Sequence, residues 1–226
     1  MKLRMRTITL VTQKGGAGKT TIATSLAIAA QQRGEMVAAF DLDPQGSMVE
    51  WGKMRKKADP AAIPDQHLPV IERFPLERIG QIGSMLDSLG GKGVTLTILD
   101  TAGADTPTTH AAMEASTFCL VPIRPTRLDL LAVRATVQAI MRSGKPFAFV
   151  LNQCSPIPRN GRANDTATGL ASIGFVAEPL ILLRNDYQDA FASGQGVTEY
   201  APDSKAADEI RQLWKWLDTQ SKETKA

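Results

Sequence analysis

A chain of 226 residues, 43% of them hydrophobic, is long enough to fill one core and short for two. It holds no uncharged apolar run of about eighteen residues and no charged-then-apolar leader ending in a small-residue cleavage site, so nothing points to a membrane span or to secretion and the cytoplasm is the expected location. A formal net charge of +3, with a pI near 8.9, permits contact with nucleic acid without requiring it.

Apolar runs alternate with helix-period segments from end to end. That is the pattern of a mostly parallel sheet with helices on both faces, so the expected fold class is α/β, a single doubly wound domain. Strands are expected at 7–11, 36–41, 69–73, 94–100, 117–123, 147–152 and 176–182. Between them helices are expected at 19–32, 47–56, 76–88, 108–114, 128–142, 164–173 and 187–192. A final helix over 204–217 sets Ile210, Leu213, Trp214 and Leu217 at i, i+3, i+4, i+7, one apolar face for the core. The domain is therefore expected over 1–217, with 218–226 a frayed polar tail. Residues 57–68, with Pro60, Pro64 and few large apolar side chains, read as a surface loop. No repeat, no low-complexity tract and no DNA-reading helix-turn-helix ahead of the first strand is visible.

Directly after the first strand stands Lys14-Gly15-Gly16-Ala17-Gly18-Lys19-Thr20-Thr21. A strand that stops at a glycine-rich loop and restarts as a helix leaves unpaired N–H groups facing one concavity, where the helix dipole also favours an anion. Such a loop cradles phosphates through the backbone of 15–21, with Lys19 reaching the β- and γ-phosphates and the Thr20 hydroxyl available to Mg²⁺. The general consensus for this loop has glycine at position 13, where this chain has Gln13, and it does not have the second lysine, Lys14.

Two further strands end in acids. Asp41-Leu42-Asp43-Pro44-Gln45-Gly46 closes the second strand, and Asp43 stands 24 residues after Lys19. Strand ends of a doubly wound sheet meet at one edge, so these carboxylates face the phosphate loop. Thr97-Ile98-Leu99-Asp100-Thr101-Ala102-Gly103 is an apolar strand ending in an acid, where Asp100 would accept from a Mg²⁺-bound water and Gly103 would let backbone approach the γ-phosphate.

The loop K-G-G-x-G-K-T-T resembles the deviant Walker A motif of the ParA/MinD group of P-loop ATPases, and D-x-D-P-Q-G is similar to the same group's second motif. The resemblance implies an ATP-sandwich dimer in which Lys14 crosses the interface to the partner's nucleotide. It makes Lys14, Lys19 and Asp43 the catalytic set, with Asp43 orienting or activating the attacking water and Asp41 supporting the Mg²⁺ shell. It implies ATP and Mg²⁺ as ligands, and an adenine contact at Asn152, beside an apolar wall from Pro179 to Leu183. An amide can accept from the N6 amino group while donating to N7.

The C-terminal third, from Arg184-Asn185-Asp186-Tyr187 to Lys205-Ala206-Ala207, also resembles the ParA group. That match implies nonspecific contact with DNA backbone at Lys205, with Arg184 a second candidate and the basic stretch Lys53 to Lys57 in reserve. The implied function is partner-stimulated ATP hydrolysis that segregates a plasmid or chromosome, or positions another large cargo. A ParB-like or other adaptor would act on a dimer bound to the nucleoid. The polar end argues against a MinD-type membrane anchor. A metabolic ligase of the dethiobiotin synthetase type is the other use of this scaffold. Cys119 sits mid-strand and Cys154 just past one, so both are expected as free thiols and not as iron–sulfur ligands. His67 and His110 lack ligand spacing.

Overall fold

The computed structural model describes residues 5–58, 69–157 and 161–223. Within them the strands β1 (Arg6–Leu10), β2 (Val37–Asp41), β3 (Val70–Arg73), β4 (Leu96–Asp100), β5 (Phe118–Ile123), β6 (Phe147–Leu151) and β7 (Phe175–Val176) form one sheet. Their order is β3-β2-β4-β1-β5-β6-β7, and the pairings are parallel.

Parallel neighbours require crossover connections. These are supplied by α1 (Lys19–Gln31), α2 (Ser47–Lys57), α3 (Ile82–Gly91), α4 (Pro107–Ala115), α5 (Arg127–Ser143) and α6 (Arg162–Ala171), while α7 (Asn185–Ala192), α8 (Val197–Tyr200) and α9 (Lys205–Glu223) close the chain. With helices on both faces, each strand sends alternate side chains into separate cores. Leu10 of β1, Ile98 of β4 and Val150 of β6 pack with Leu26 of α1 and with Ile210, Leu213, Trp214 and Leu217 of α9. On the opposite face Val121 and Ile123 of β5 and Phe149 of β6 meet Val133 and Ile140 of α5 and Leu170 of α6. At roughly 1.5–3 kcal/mol for each large apolar side chain fully buried, the four-residue face of α9 is a principal reason that helix docks.

The last expected strand shrinks to two residues. Pro179 has no N–H to give a ladder, and the segment instead holds on through Ala177 N–H to Phe149 O (2.7 Å) and Ile181 N–H to Leu151 O (2.8 Å). The helix expected over 76–88 opens as a 3₁₀ turn, Leu76–Gln81, in which Arg78 leaves helical dihedrals (φ −104°, ψ 16°). The last helix runs to Glu223, so 218–223 are helical rather than frayed. The buried Arg6 guanidinium explains this: it pairs with Glu35 and donates to Asp218 Oδ1 (2.6 Å) and Ser221 Oγ (3.0 Å), tying the end of α9 to β1. Of the expected loop over 57–68, residues 59–68, His67 included, lie outside the described residues, as do 224–226. Both cysteines are buried free thiols, and burial pushes Cys119 up to about 12. Among the described residues no helix is long and apolar enough to cross a membrane.

Candidate functional site

Register sets the site. Leu10, Asp100 and Asp41 are side by side on β1, β4 and β2, so the loops that follow these strands share one rim. Gly16 (φ 77°) and Gly18 (φ 85°) take left-handed backbone in the first loop. Gly18 opens α1, with Ile22 N–H donating to its carbonyl at 3.0 Å.

Asn152 and Gln153, just past β6, brace this loop. Asn152 Nδ2 donates to Ala17 O (2.8 Å), and a Cβ on Gly18, whose left-handed φ itself favours glycine, would stand 2.2 Å from that nitrogen. Gln153 Nε2 donates to Gly16 O (3.2 Å) from a residue at φ 54°, a conformation uncommon outside glycine and retained here beside the site. The expected adenine contact is therefore first a clamp on the phosphate loop.

Thr20 and Asp100 meet below the loop, where Thr20 Oγ1 donates to Asp100 Oδ2 at 2.7 Å. Asp100 is 1% exposed, and its Oδ1 is buried without a hydrogen-bond partner among the described residues. Burial, reinforced by the charges of Asp41 and Asp43, pushes its carboxyl up to about 7 against the Thr20 bond and the Lys19 charge. An unsatisfied buried carboxylate oxygen beside a hydroxyl is the donor set of a hard cation, so these residues fit Mg²⁺. Lys19 is also buried; desolvation lowers its pKa, opposed by the charges of Asp100 and Asp43.

Asp41 does something other than expected. Its Oδ1 accepts from Asp43 N–H (3.0 Å) and its Oδ2 from Met48 N–H (2.9 Å) and Val49 N–H (3.1 Å). It thus satisfies the orphan amides of the first turn of α2 and shapes the loop that carries Asp43. With three amides on its two oxygens, it is a scaffold for the neighbouring acid. Asp43 spends one oxygen on Gln45 N–H (3.0 Å) and lines a 720 Å³ cavity with Gly15, Gly18, Lys19, Thr20, Thr21, Gly103 and Thr106. Gly103 presses on the phosphate loop: a Cβ there would lie 2.8 Å from Gly15 N and 2.9 Å from the Lys14 carbonyl carbon. The loop after β4 is thereby coupled to the phosphate cradle.

A narrow cavity of 130 Å³ beside Asn152 is walled by Ile181, Leu182 and Leu183. Pro179 lies elsewhere, in a groove with Asn164 and Phe175, which corrects its expected place in the base pocket. Arg184, the second DNA candidate, is engaged within the chain. Its Nε and Nη2 donate to Glu209 Oε1 at 2.9 and 2.7 Å, and Glu209 is held in turn by the Tyr187 hydroxyl (2.9 Å). Lys205, the first residue of α9 after the Ser204 cap, is exposed.

Lys14 does not enter its own cradle. It pairs with Asp129 in the first turn of α5, which also receives Arg124 Nε (2.7 Å) and the Thr126 hydroxyl (2.9 Å). Burial works against the charge of Asp129, but the bonds from Arg124, Lys14 and Thr126 hold its carboxyl below the ordinary range. Sequence reasoning missed Asp129, Arg124 and Gln153. Thr126-Arg127-Leu128-Asp129 carries a T-x-x-D helix-start signature, and Thr126 does cap α5, but the signature says nothing of Lys14.

The family described as CobQ/CobB/MinD/ParA nucleotide binding domain matches residues 8–195 of this chain. Over 216 residues the chain is 29% identical to the maintenance of carboxysome distribution protein A of Halothiobacillus neapolitanus, covering 92% of this chain and 94% of that protein. The septum site-determining protein MinD of Pyrococcus horikoshii, complexed with Mg-ADP, superposes with a TM-score of 0.70 at 19% identity, covering 97% of this chain and 98% of that one. Cobyrinic acid a,c-diamide synthase from Mycobacterium smegmatis, with a bound ATP analogue and magnesium, superposes with a TM-score of 0.74 at 18% identity, covering 96% of each. At these identities the two structures share the fold.

Proposed function

Since this chain belongs to the CobQ/CobB/MinD/ParA family of nucleotide-binding domains, we propose that it is a Mg²⁺-dependent ATP hydrolase of the ParA kind, working as an ATP-dependent homodimer that positions a large cargo. The observation that carries this reading is Lys14, a second lysine at the head of the loop that lies on the rim against Asp129 while Lys19 fills the cradle. A ligase acting alone asks no more of this cation than its pair with Asp129. A dimer that shares phosphates between copies does.

Lys19 and the amides opening α1 bind the β- and γ-phosphates. Thr20 and Asp100, the latter through water, would hold Mg²⁺, which when bound neutralises charge developing on the phosphates. Asp43, presented by the turn that Asp41 organises, orients the attacking water, a positioning role sufficient for phosphoryl transfer. The near full-length likeness to a carboxysome distribution protein supports a protein assembly as cargo alongside a plasmid or chromosome origin. An adaptor of the ParB or an analogous kind would stimulate hydrolysis, and the dimer would hold nucleoid DNA without sequence preference.

The deciding experiment measures ATPase rate with and without nonspecific duplex DNA and the product of the adjacent gene. Joint stimulation supports positioning. Turnover indifferent to both, and dependent on a metabolite, would instead place the chain with the synthases that share its fold.

Lys205 is the proposed DNA contact. A cation on the first residue of a helix opposes the macrodipole, so stability does not account for it, whereas a phosphate there would meet both the ammonium and the positive helix end. With an ATP analogue bound, Lys205→Ala should reduce the slope of log affinity against log salt by about 1 on duplex DNA, with no change in sequence preference. Arg184→Ala should leave the slope alone, its head group being engaged by Glu209. Fluorescence anisotropy over a salt series reads both. An unchanged slope for Lys205→Ala shifts attention to the basic stretch Lys53 to Lys57.

A further inference from the structure

Asp129 is 4% exposed and holds two cations from two different loops. Lys14 comes from the head of the phosphate loop, and Arg124 from the end of β5. The guanidinium reaches both carboxylate oxygens, Nε to Oδ2 at 2.7 Å and Nη2 to Oδ1 at 3.2 Å, so it already touches the oxygen that Lys14 pairs with. Its Nη1 lies over the phosphate loop, 3.7 Å from where a Cβ on Gly16 would stand. The Thr126 hydroxyl adds a neutral bond to Oδ2. One carboxylate against two cations leaves the cluster with a net charge of +1, beside the phosphate loop.

We propose that Arg124 is a positioning residue that frees Lys14 for a second copy of this chain: it keeps Asp129 compensated when Lys14 swings out to the phosphates of the partner's nucleotide. The inference rests on the dimer reading above. Its physical basis is the cost of stranding a buried charge. A carboxylate in a desolvated site with a single cation holds that cation tightly, because departure leaves an unpaired ion in low dielectric. With a planar fork already spanning both oxygens, the departure of Lys14 breaks one contact and strands nothing. A lysine at position 124 would offer a point charge in place of the fork, so it should serve only in part. Lys14 is 27% exposed and Arg124 29%, so the lysine can leave towards solvent without repacking the core.

Light scattering with Mg²⁺ and a non-hydrolysable ATP analogue tests this, together with analogue affinity measured at protein concentrations where the chain is monomeric. Arg124→Ala should weaken the dimer by about 100-fold, the expected effect of leaving Lys14 as the sole partner of a buried acid. Arg124→Lys should recover part of that loss. The double variant Arg124→Ala with Asp129→Asn should dimerise again, because a neutral amide needs no cation. Analogue affinity of the monomer should stay at the wild-type level throughout. A monomer affinity that falls with Arg124→Ala makes the arginine a phosphate contact and overturns the proposal. So does wild-type dimerisation of Arg124→Ala, or a double variant with a normal thermal melt that remains monomeric. Lys14→Ala separates the two levels: if it dimerises like wild type, the cross-interface role of Lys14, on which this inference rests, fails. If it is monomeric while Arg124→Ala dimerises, only the role of Arg124 fails.

Discussion

Replacing Asp43 with alanine is expected to slow ATP hydrolysis by roughly 10² to 10⁴ while ATP stays bound, the range lost when a positioned acid–base group is removed. The site separates the two functions in space. Phosphate contacts belong to the loop between β1 and α1, whereas Asp43 reaches the same cavity from the far side, on the turn after β2. That turn does not depend on the Asp43 side chain alone, because Asp41 holds the Asp43, Met48 and Val49 amides independently. The alanine variant should therefore keep the loop, bind nucleotide with near wild-type affinity, accumulate as the ATP-bound dimer and release DNA slowly. Lys19→Ala should behave in the opposite way, losing nucleotide binding outright. Steady-state phosphate release beside equilibrium binding of a fluorescent ATP analogue distinguishes them. Fast turnover by the Asp43 variant, or a loss of affinity matching Lys19→Ala, would remove Asp43 from the water-positioning role.

Much of this arrangement is legible in the sequence because it is local. Strand, glycine-rich loop and helix follow one another within 6–31, and an apolar run ending in an acid marks where β2 and β4 reach the rim. Parallel topology then brings those ends together without further information. Whatever depends on a partner far along the chain is hidden. Nothing near Lys14 announces Asp129, and nothing near Arg184 announces that Glu209 takes both of its inner nitrogens. Asn152 is partly legible: its place at the end of β6 was readable, but its bond to Ala17 O emerges only from packing. The end of α9 was misread for the same reason. Polar residues 218–223 look like a tail until Arg6, buried at the start of β1, is seen to need Asp218 and Ser221.

Asp100 should make the ligand-free protein less stable as pH rises, the reverse of the usual behaviour of a native carboxylate. Its folded pKa is about 7, raised from 3.8 chiefly by burial, with Asp41 and Asp43 reinforcing the shift and Thr20 and Lys19 of α1 opposing it. Between those two values the folded chain holds a proton that the unfolded chain has released, so stability falls as pH climbs through this window, and the penalty is complete above 7. The full span is worth on the order of 4 kcal/mol. Asp41, raised by burial too, adds with the same sign. Melting temperature without ligand should thus drop from pH 5 to pH 8, and Asp100→Asn should flatten the curve and melt higher than wild type at pH 8. Mg²⁺ with ATP needs the ionised carboxylate, so the stabilisation it confers should grow over the same interval and should be largely lost in the asparagine variant, which cannot take up that charge. Thermal denaturation from pH 5 to pH 8, with and without Mg-ATP, measures all four curves. Parallel ligand-free curves for wild type and Asp100→Asn would mean that the buried Oδ1 carries no charge penalty, and with that the case for a cation at this oxygen would fall.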